Sequence, residues 1–213
     1  MNIPAQFLTC LRDRLSRPLP GEMAQKSMAR IKNYAFSDLM TRNPGHKKSA
    51  VMVVLWQENS ALRCLLIQRP EYEGVHSGQI ALPGGKQEPY DSDLLATAIR
   101  ETKEEVGFEI PTACVAGPLS PLYIPVSNFL VQPYIAVLPA KPELNLNLVE
   151  VHACLDFDLS VLLNENSRKT KEIQANGMKH ETPYFEIEGL VVWGATAMVL
   201  SELSAVIESI ISS

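Results

Sequence analysis

Residues 82–108 read LPGGKQEPYDSDLLATAIRETKEEVGF, and this stretch constrains the fold more than any other part of the chain. It begins with a Pro-Gly-Gly turn, continues through a polar loop and runs into Gly107. Ser92 or Asp93 is a candidate N-cap, because a short side-chain oxygen can accept an orphan backbone N–H where a helix starts. Gly107 suits the left-handed position that ends many helices. The pattern therefore predicts a helix over about residues 93–106.

Three carboxylates share one face of this predicted helix, because Glu101, Glu104 and Glu105 have i, i+3 and i+4 spacing. A solvated surface is one interpretation of such a run. A bound cation is the other, since like charges at i and i+4 repel and the helix macrodipole disfavours negative charge near its C-terminus. The preceding Gly-Gly turn would let backbone carbonyls approach a ligand. Mg²⁺ prefers oxygen ligands and commonly bridges carboxylates to phosphates, so the stretch indicates a Mg²⁺ or Mn²⁺ site.

The same segment resembles the signature of the Nudix hydrolases, which combines a glycine, an acid, an Arg-Glu pair, a Glu-Glu pair and a closing glycine. In this sequence those residues are Gly85, Asp91, Arg100, Glu101, Glu104, Glu105 and Gly107. Eight residues separate Asp91 from Arg100, one more than in the common pattern, and Asp replaces the usual Glu. Thr102 stands where an aliphatic residue is usual. The expanded spacing with Asp is similar to the coenzyme A pyrophosphatase branch of the family.

Two further segments are similar to that branch. Upstream of the signature, the residues in register with its pattern are Leu65, Leu66, Gly78 and residues 82–85. Gly74 stands where the branch carries Arg, and Leu82 stands where it carries Phe; Arg69 or His76 is a candidate replacement for the Arg. Near the C-terminus, residues 192–197 enter a final helix as they do in the branch.

The resemblance implies an α/β fold, the Nudix-type α/β/α sandwich with a mixed β-sheet, over residues 49–213. Residues 1–48 are expected to form an N-terminal helical extension packed on that core. Apolar strand-like runs that alternate with amphipathic helical stretches agree with this fold class. The predicted strands are 50–56, 62–68, 79–82, 114–122, 129–138, 149–157, 184–187 and 190–193, the outer helices are 4–16 and 195–211, and 169–180 is an exposed hairpin or loop.

The resemblance also assigns roles at the acidic face. Glu101 and Glu105 are expected as direct ligands of Mg²⁺ or Mn²⁺, and Glu104 as a third ligand or the holder of a metal-bound water. The backbone carbonyl of Gly85 would add a ligand. Arg100 is expected to orient the loop before the helix through an ion pair, with Asp91 as its partner.

The general base would come from the signature helix or from a later loop. Glu150 is the candidate in a later loop, because it opens the strand predicted for residues 149–157. An exposed acid at the end of a strand is the other interpretation of Glu150. Trp193 could stack on adenine or belong to the core, and Tyr123 and Asn128 flank a loop that could line the substrate cleft.

Charge and cysteine usage bound the function class. The net charge is −5, which argues against general binding to nucleic acid. The four cysteines form no C-x-x-C pair and are expected to be free thiols in a reducing compartment. The N-terminus lacks the long apolar run of a signal peptide, and no stretch was expected to reach the ~18 apolar residues that span a bilayer. These features predict a cytoplasmic protein with no membrane partner, and the N-terminal segment could support a homodimer.

Together these observations predict a metal-dependent hydrolase that cleaves the pyrophosphate bond of coenzyme A or its thioesters. The products would be 3′,5′-ADP and 4′-phosphopantetheine or its acyl form. One alternative is a Nudix enzyme for another substrate, namely ADP-ribose, a dinucleotide or a nucleoside triphosphate. The other alternative is a noncatalytic module that binds a nucleotide.

Overall fold

The computed structural model describes residues 6–30, 36–42, 45–71, 78–175 and 178–212. Within these ranges the α-helices are α1 (Phe7–Leu15), α2 (Gly21–Lys26), α3 (Phe36–Arg42), α4 (Leu94–Val106) and α5 (Gly194–Ile211). The strands of the same ranges are β1 (Lys47–Glu58), β2 (Ala61–Gln68), β3 (Ile80–Ala81), β4 (Gly84–Lys86), β5 (Val115–Pro118), β6 (Leu122–Ile124), β7 (Phe129–Leu138), β8 (Ala153–Asp158), β9 (Arg168–Ala175), β10 (Met178–Ile187) and β11 (Leu190–Trp193).

Strand β1 is the centre of a mixed sheet. Its order is β3-β2-β1-β7-β5, and β4, β6 and β8 are attached to β1, β7 and β2. β1 runs parallel to β7 and antiparallel to β2 and β4. β4 pairs with β1 from Ser49 to Val51, whereas β2 pairs with it from Leu55 to Glu58. The two glycines of β4 are therefore fixed against the first half of the central strand.

The two faces of β1 enter two different hydrophobic cores. Val53 and Leu55 pack in the core that contains α1 and α5, whereas Met52 and Val54 pack in the core beneath α4. This alternation is what a strand buried on both faces requires, because successive side chains point to opposite sides of the sheet. Helices cover both faces, so the predicted α/β/α sandwich with a mixed sheet is confirmed.

The N-terminal helices lie against α5 through a buried polar contact. Glu202 of α5 is fully buried, and its carboxylate accepts hydrogen bonds from the Gly21 backbone N–H at 3.0 Å and from the Gln25 side chain at 2.9 Å. The α1 side chain of Leu11 is also fully buried. A buried carboxylate is costly unless donors satisfy it, so these contacts hold α2 on the core.

Helix α5 is long and apolar enough to cross a membrane by length and composition, with a mean hydropathy of 1.5 over 18 residues. The expectation that no stretch would reach this length was therefore wrong. More than half of the helix is buried inside the fold. Leu200, Leu203 and Val206 are fully buried in the α1–α5 core, which accounts for the apolar composition.

Two strand predictions were wrong in their bounds. The run 114–122 is divided, because β5 ends at Pro118 and β6 begins at Leu122. The run 149–157 begins as a turn and becomes strand only at Ala153, so Glu150 does not open a strand. The segment 169–180 lies in the antiparallel hairpin of β9 and β10, which forms a second, three-stranded sheet with β11.

Candidate active site

Helix α4 is held at both ends by the residues that its sequence provides. The Asp93 side chain accepts a hydrogen bond from the Ala96 N–H at 2.7 Å, so Asp93 rather than Ser92 is the N-cap. Gly107 ends the helix in the left-handed conformation, with φ of 82°. A Cβ at Gly107 would also collide with the backbone of Asn145, so the position has no room for another residue.

The two glycines of β4 place the backbone against the carboxylates of α4. The Gly84 N–H donates a hydrogen bond to Glu105 Oε2 at 2.8 Å. A Cβ at Gly85 would lie less than 3.0 Å from the carboxyl carbon and both oxygens of Glu101. Gly84 has φ of 146°, and a Cβ there would meet the Ala50 carbonyl oxygen at a similarly forbidden distance. Glycine is required at both positions, at Gly84 by the neighbouring strand and at Gly85 by the acid.

Arg100 joins the loop after β4 to the acidic face of α4. Its Nε and Nη2 atoms donate to the two carboxylate oxygens of Asp91, each at 2.9 Å, and Nη2 also donates to the Lys86 carbonyl at 3.1 Å. Its Nη1 atom donates to Glu101 and to Glu104, again at 2.9 Å. The paired hydrogen bonds from Arg100 hold the pKa of Asp91 well below its usual range. The expected Arg100–Asp91 pair is therefore present.

The carboxylates of Glu101 and Glu105 are largely shielded from solvent. Only 4% of Glu105 is exposed, and 15% of the Glu101 side chain. Burial raises the pKa of Glu105 to about 8; the Gly84 N–H lowers it, and the charge of Glu101 raises it further. Burial also raises the pKa of Glu101, against the lowering effect of Arg100. Two desolvated acids that repel each other are poised to accept a cation.

Glu104 differs from its two neighbours. Its side chain is 48% exposed, and its carboxylate accepts a hydrogen bond from Arg100. Glu101 and Glu105 line a cavity of about 370 Å³ together with Gly84 and Gly85, and Glu104 is not part of that lining. The structure therefore places Glu104 beside the arginine at the margin of this space, called the acidic cavity below.

Glu150 also lines the acidic cavity. It lines the cavity from the loop between β7 and β8, and its charge raises the pKa values of both Glu101 and Glu105. Two backbone hydrogen bonds, each 3.0 Å long, fix the loop: the Asn145 N–H donates to the Val106 carbonyl and the Asn147 N–H to the Glu105 carbonyl. The C-terminal end of α4, where carbonyls lack helical partners, thus positions Glu150.

The donor set fits a hard divalent cation that keeps part of its water shell. Glu101 and Glu105 offer carboxylate oxygens to the acidic cavity, and Glu150 lines the same cavity. In the described part of the chain, no group of three or more His, Cys, Asp or Glu side chains forms a complete metal cage. Mg²⁺ is usually bound by one or two carboxylates and completes its shell with water and substrate phosphates, so two acids are sufficient.

A second and larger cavity adjoins the first. It measures about 490 Å³, and its walls are mostly hydrocarbon; we call it the apolar cavity. Four residues line both cavities: Arg69, Gly84, Gly85 and Lys86. The apolar cavity extends from this shared wall toward the start of α5 and toward the β6–β7 loop.

The sequence profile of the NUDIX domain matches residues 46–157, which include β1, the glycine turn, all of α4 and the Glu150 loop. The chain belongs to the Nudix hydrolase family. It is 33% identical over 193 residues to the uncharacterised Nudix hydrolase NudL of Yersinia enterocolitica, covering 91% of this chain and 88% of that protein. It is 32% identical over 168 residues to the chloroplastic Nudix hydrolase 22 of Arabidopsis thaliana.

The extent of these similarities differs between the relatives. The match with Nudix hydrolase 22 covers 76% of this chain but 55% of the plant protein, so the chain spans about half of that relative's length. Among solved structures, a MutT/nudix family protein from Enterococcus faecalis has a TM-score of 0.57 and 17% identity, covering 88% of this chain and 75% of that one. This structural likeness supports the Nudix fold.

The Nudix residues predicted from the sequence are brought together to different degrees. Gly85, Glu101, Glu105 and Glu150 meet at the acidic cavity, whereas Arg100 and Glu104 lie at its margin. Trp193 and Tyr123 line the apolar cavity. Gly74 and His76 lie outside the described residues. Asn128 accepts a hydrogen bond from the Tyr123 hydroxyl at 2.8 Å, and it is not among the residues that line either cavity.

Sequence reasoning missed the apolar cavity, whereas it named Arg69 as a candidate replacement for the arginine of the branch. The cavity is formed by residues from distant parts of the chain, including Met28, Leu82, Val131 and Met198, and no local pattern joins them. Arg69 lines both cavities, and its buried Nε atom has no hydrogen-bond partner among the residues that the structure describes. An arginine directly after an apolar strand and before a proline was the only available signal.

Proposed function

We propose that this Nudix protein hydrolyses the pyrophosphate bond of coenzyme A or its thioesters with the help of Mg²⁺ or Mn²⁺. The products are 3′,5′-ADP and 4′-phosphopantetheine or its acyl form. One observation carries the hydrolytic part: two buried, mutually repelling carboxylates and the third acid Glu150 line one cavity together with the two glycines of β4. Nudix hydrolases generally use divalent metal ions, and this donor set fits one.

Two observations support coenzyme A among the possible diphosphates. The first is the resemblance of the signature and its flanking segments to the coenzyme A pyrophosphatase branch, including the eight residues between Asp91 and Arg100. The second is the space beside the acidic cavity, because a substrate cleaved there has a non-reacting part that needs a binding site. Cavities of about 300–1,000 Å³ are typical binding sites for small molecules and cofactors.

Each acid has a distinct role in the proposal. Glu101 and Glu105 hold the cation, the Gly85 carbonyl adds an oxygen ligand, and Glu104 is a third ligand or holds a water at the site. The bound cation would neutralise phosphate oxygens and make a water more acidic. Glu150 lines the same cavity as the two ligand acids, where it can accept the proton of the attacking water as a general base.

Two arginines at the site have different tasks. Arg100 is engaged by Asp91, Glu101 and Glu104, so it orients the ligand acids rather than the substrate. Arg69 is not engaged in this way, because its buried Nε has no partner in the described residues. It lies on the wall shared by both cavities, where a guanidinium can bind a phosphate oxygen beside the bond that is cleaved.

The proposal extends to the organisation of the chain and to its surroundings. We propose residues 1–48 as a helical extension on a Nudix domain of residues 49–213, a small-molecule substrate with no nucleic-acid or membrane partner, and a cytoplasmic location. A homodimer through the N-terminal segment is part of the same proposal, and Met23 of α2 is 81% exposed there. Sedimentation of the Met23→Glu variant beside the wild type tests this, since a dimer that uses this face would dissociate.

The test of the function is hydrolysis of a panel of compounds by the purified protein, with and without Mg²⁺ or Mn²⁺. The panel contains coenzyme A, acetyl-coenzyme A, ADP-ribose, NADH and nucleoside triphosphates, and chromatography resolves the products. Metal-dependent release of 3′,5′-ADP supports the coenzyme A proposal. Turnover of another compound instead would keep the chemistry and refute the substrate. No turnover by correctly folded protein would favour a noncatalytic nucleotide-binding module.

A further inference from the structure

The apolar cavity and the acidic cavity are two compartments of one continuous site. They share the Gly84-Gly85 turn, Lys86 and Arg69 as a common wall, so one ligand can extend from the acids into the hydrocarbon-lined space. The far end of the apolar cavity is formed where β11 passes into α5, and this wall includes Trp193, Ala195, Met198 and Val199.

The chemistry of the lining determines which part of a ligand fits there. Leu82, Val131 and Met198 contribute hydrocarbon, and all three are otherwise buried in the core, with between 4% and 9% of their surface exposed. Tyr123 brings a hydroxyl to the lining, but that hydroxyl already donates to Asn128. A ligand group that needs hydrogen bonds would bind weakly against an apolar wall, because it loses its hydrogen bonds to water and finds no replacement partners there.

We propose that the apolar cavity binds a hydrocarbon chain of the same substrate whose pyrophosphate lies in the acidic cavity. The preferred substrates would then be acyl thioesters with chains of several carbons, rather than the free thiol. This inference rests on the proposed function and deepens it, because it assigns the specificity for the acyl group to residues outside the Nudix signature. A nucleobase stacked on Trp193 is the competing occupant.

The expected effect follows from the area that a chain removes from water. Each methylene buried in an apolar environment strengthens binding by about fourfold. Octanoyl-coenzyme A carries six more methylenes than acetyl-coenzyme A, and burial of only two of them gives a preference of about 15-fold. We therefore expect the dissociation constant of the octanoyl compound to be at least about tenfold lower.

Isothermal titration calorimetry of the wild type in EDTA tests this without catalysis, using coenzyme A, acetyl-coenzyme A, octanoyl-coenzyme A and 3′,5′-ADP. The blocking variant is Ala195→Phe, which adds a ring to the cavity wall, and Ala195→Leu is a smaller change should the first fail to fold. The control is Ala113→Phe, because Ala113 is exposed and lines neither cavity. The blocking variant should lose the octanoyl preference to within about twofold, and the control should keep it.

Three results would overturn the inference. They are equal affinity for the acetyl and octanoyl compounds in the wild type, equal weakening of both by Ala195→Phe, and selective loss of 3′,5′-ADP binding in that variant. The last result would place the nucleobase in the cavity. Hydrolysis without dependence on chain length refutes the inference and leaves the proposed function standing. Binding that depends on chain length, without hydrolysis of any compound, refutes the function and leaves the chain-binding cavity standing.

Discussion

The two glycines of β4 should respond differently to replacement by alanine: Gly85→Ala should mainly reduce activity, whereas Gly84→Ala should mainly destabilise the fold. At Gly85, an added Cβ would lie less than 3.0 Å from the carboxyl group of Glu101, which is the free end of a flexible side chain. At Gly84, the added Cβ would meet the Ala50 carbonyl and the Val51 Cα, which belong to the central strand and cannot withdraw. Gly84 also has a φ of 146°, whereas Gly85 has no positive φ.

The magnitudes follow from what must move. In Gly85→Ala, Glu101 must withdraw by about 1 Å to reach an ordinary van der Waals contact, and a displacement of that size can cost about 100-fold in rate. The fold keeps its hydrogen bonds, so the free energy of unfolding should fall by less than about 1 kcal/mol. In Gly84→Ala, backbone strain and the collision with β1 should cost more than about 2 kcal/mol.

The assay combines kcat/KM in Mg²⁺ with thermal melting of both variants. A double-mutant cycle supplies the control: in the Glu101→Ala background the collision is absent, so Gly85→Ala should add almost nothing to the loss of activity. The account would be refuted if Gly85→Ala kept activity within about threefold of the wild type, or if it destabilised the protein as much as Gly84→Ala does.

Three other perturbations test the site. Glu105→Gln should lower the metal-dependent rate by several orders of magnitude. The fold should survive, because the amide oxygen can still accept the hydrogen bond from the Gly84 N–H. If kcat falls by less than about tenfold, Glu105 is not a metal ligand. Burial raises the pKa of Glu105 to about 8 from its ordinary 4.5, so the folded state holds this proton more tightly than the unfolded chain does. The metal-free protein should therefore lose on the order of 2 kcal/mol of stability as the pH rises from 6 to 8.5. Thermal melts of Glu105→Gln should show much less of this pH dependence, and an equal pH dependence in both proteins would assign it to other groups. Arg100→Ala leaves the Asp91 side chain, which is only 3% exposed, without its cation, so the free energy of unfolding measured with denaturant should fall by about 3 kcal/mol or more. Adding Asp91→Asn to this variant should recover part of the lost stability, and purely additive losses would contradict the pairing.

Local sequence signals were sufficient for the signature helix. The N-cap at Asp93, the acids at i, i+3 and i+4 and the stop at Gly107 act within one or two helical turns, and α4 spans nearly the predicted residues. The pairing of Arg100 with Asp91 could also be predicted, because Asp91 lies just before α4 and Arg100 lies within that helix. Strand β7 matched its predicted bounds for a similar reason, since its ten residues are apolar except for Gln132.

Long-range packing decided what the sequence could not. Glu150 was expected at the start of a strand, but the Asn147 N–H bonds to a carbonyl at the end of α4 and turns the chain there before β8 begins. The partly exposed position of Glu104 depends on Arg100, which could have bonded to other acids. The apolar cavity required the mutual placement of β3, β11 and α5, and this information is distributed over distant residues.

Mn²⁺ titration followed by electron paramagnetic resonance tests directly whether Glu101 and Glu105 form the metal site of this Nudix protein. The wild type is compared with Glu101→Gln, Glu105→Gln and the control Glu109→Gln, whose parent side chain is exposed and pairs with Lys103. We expect one saturable site in the wild type and the control, with affinity at least about tenfold weaker in each of the other two variants. Equal Mn²⁺ affinity in all four proteins would contradict the account.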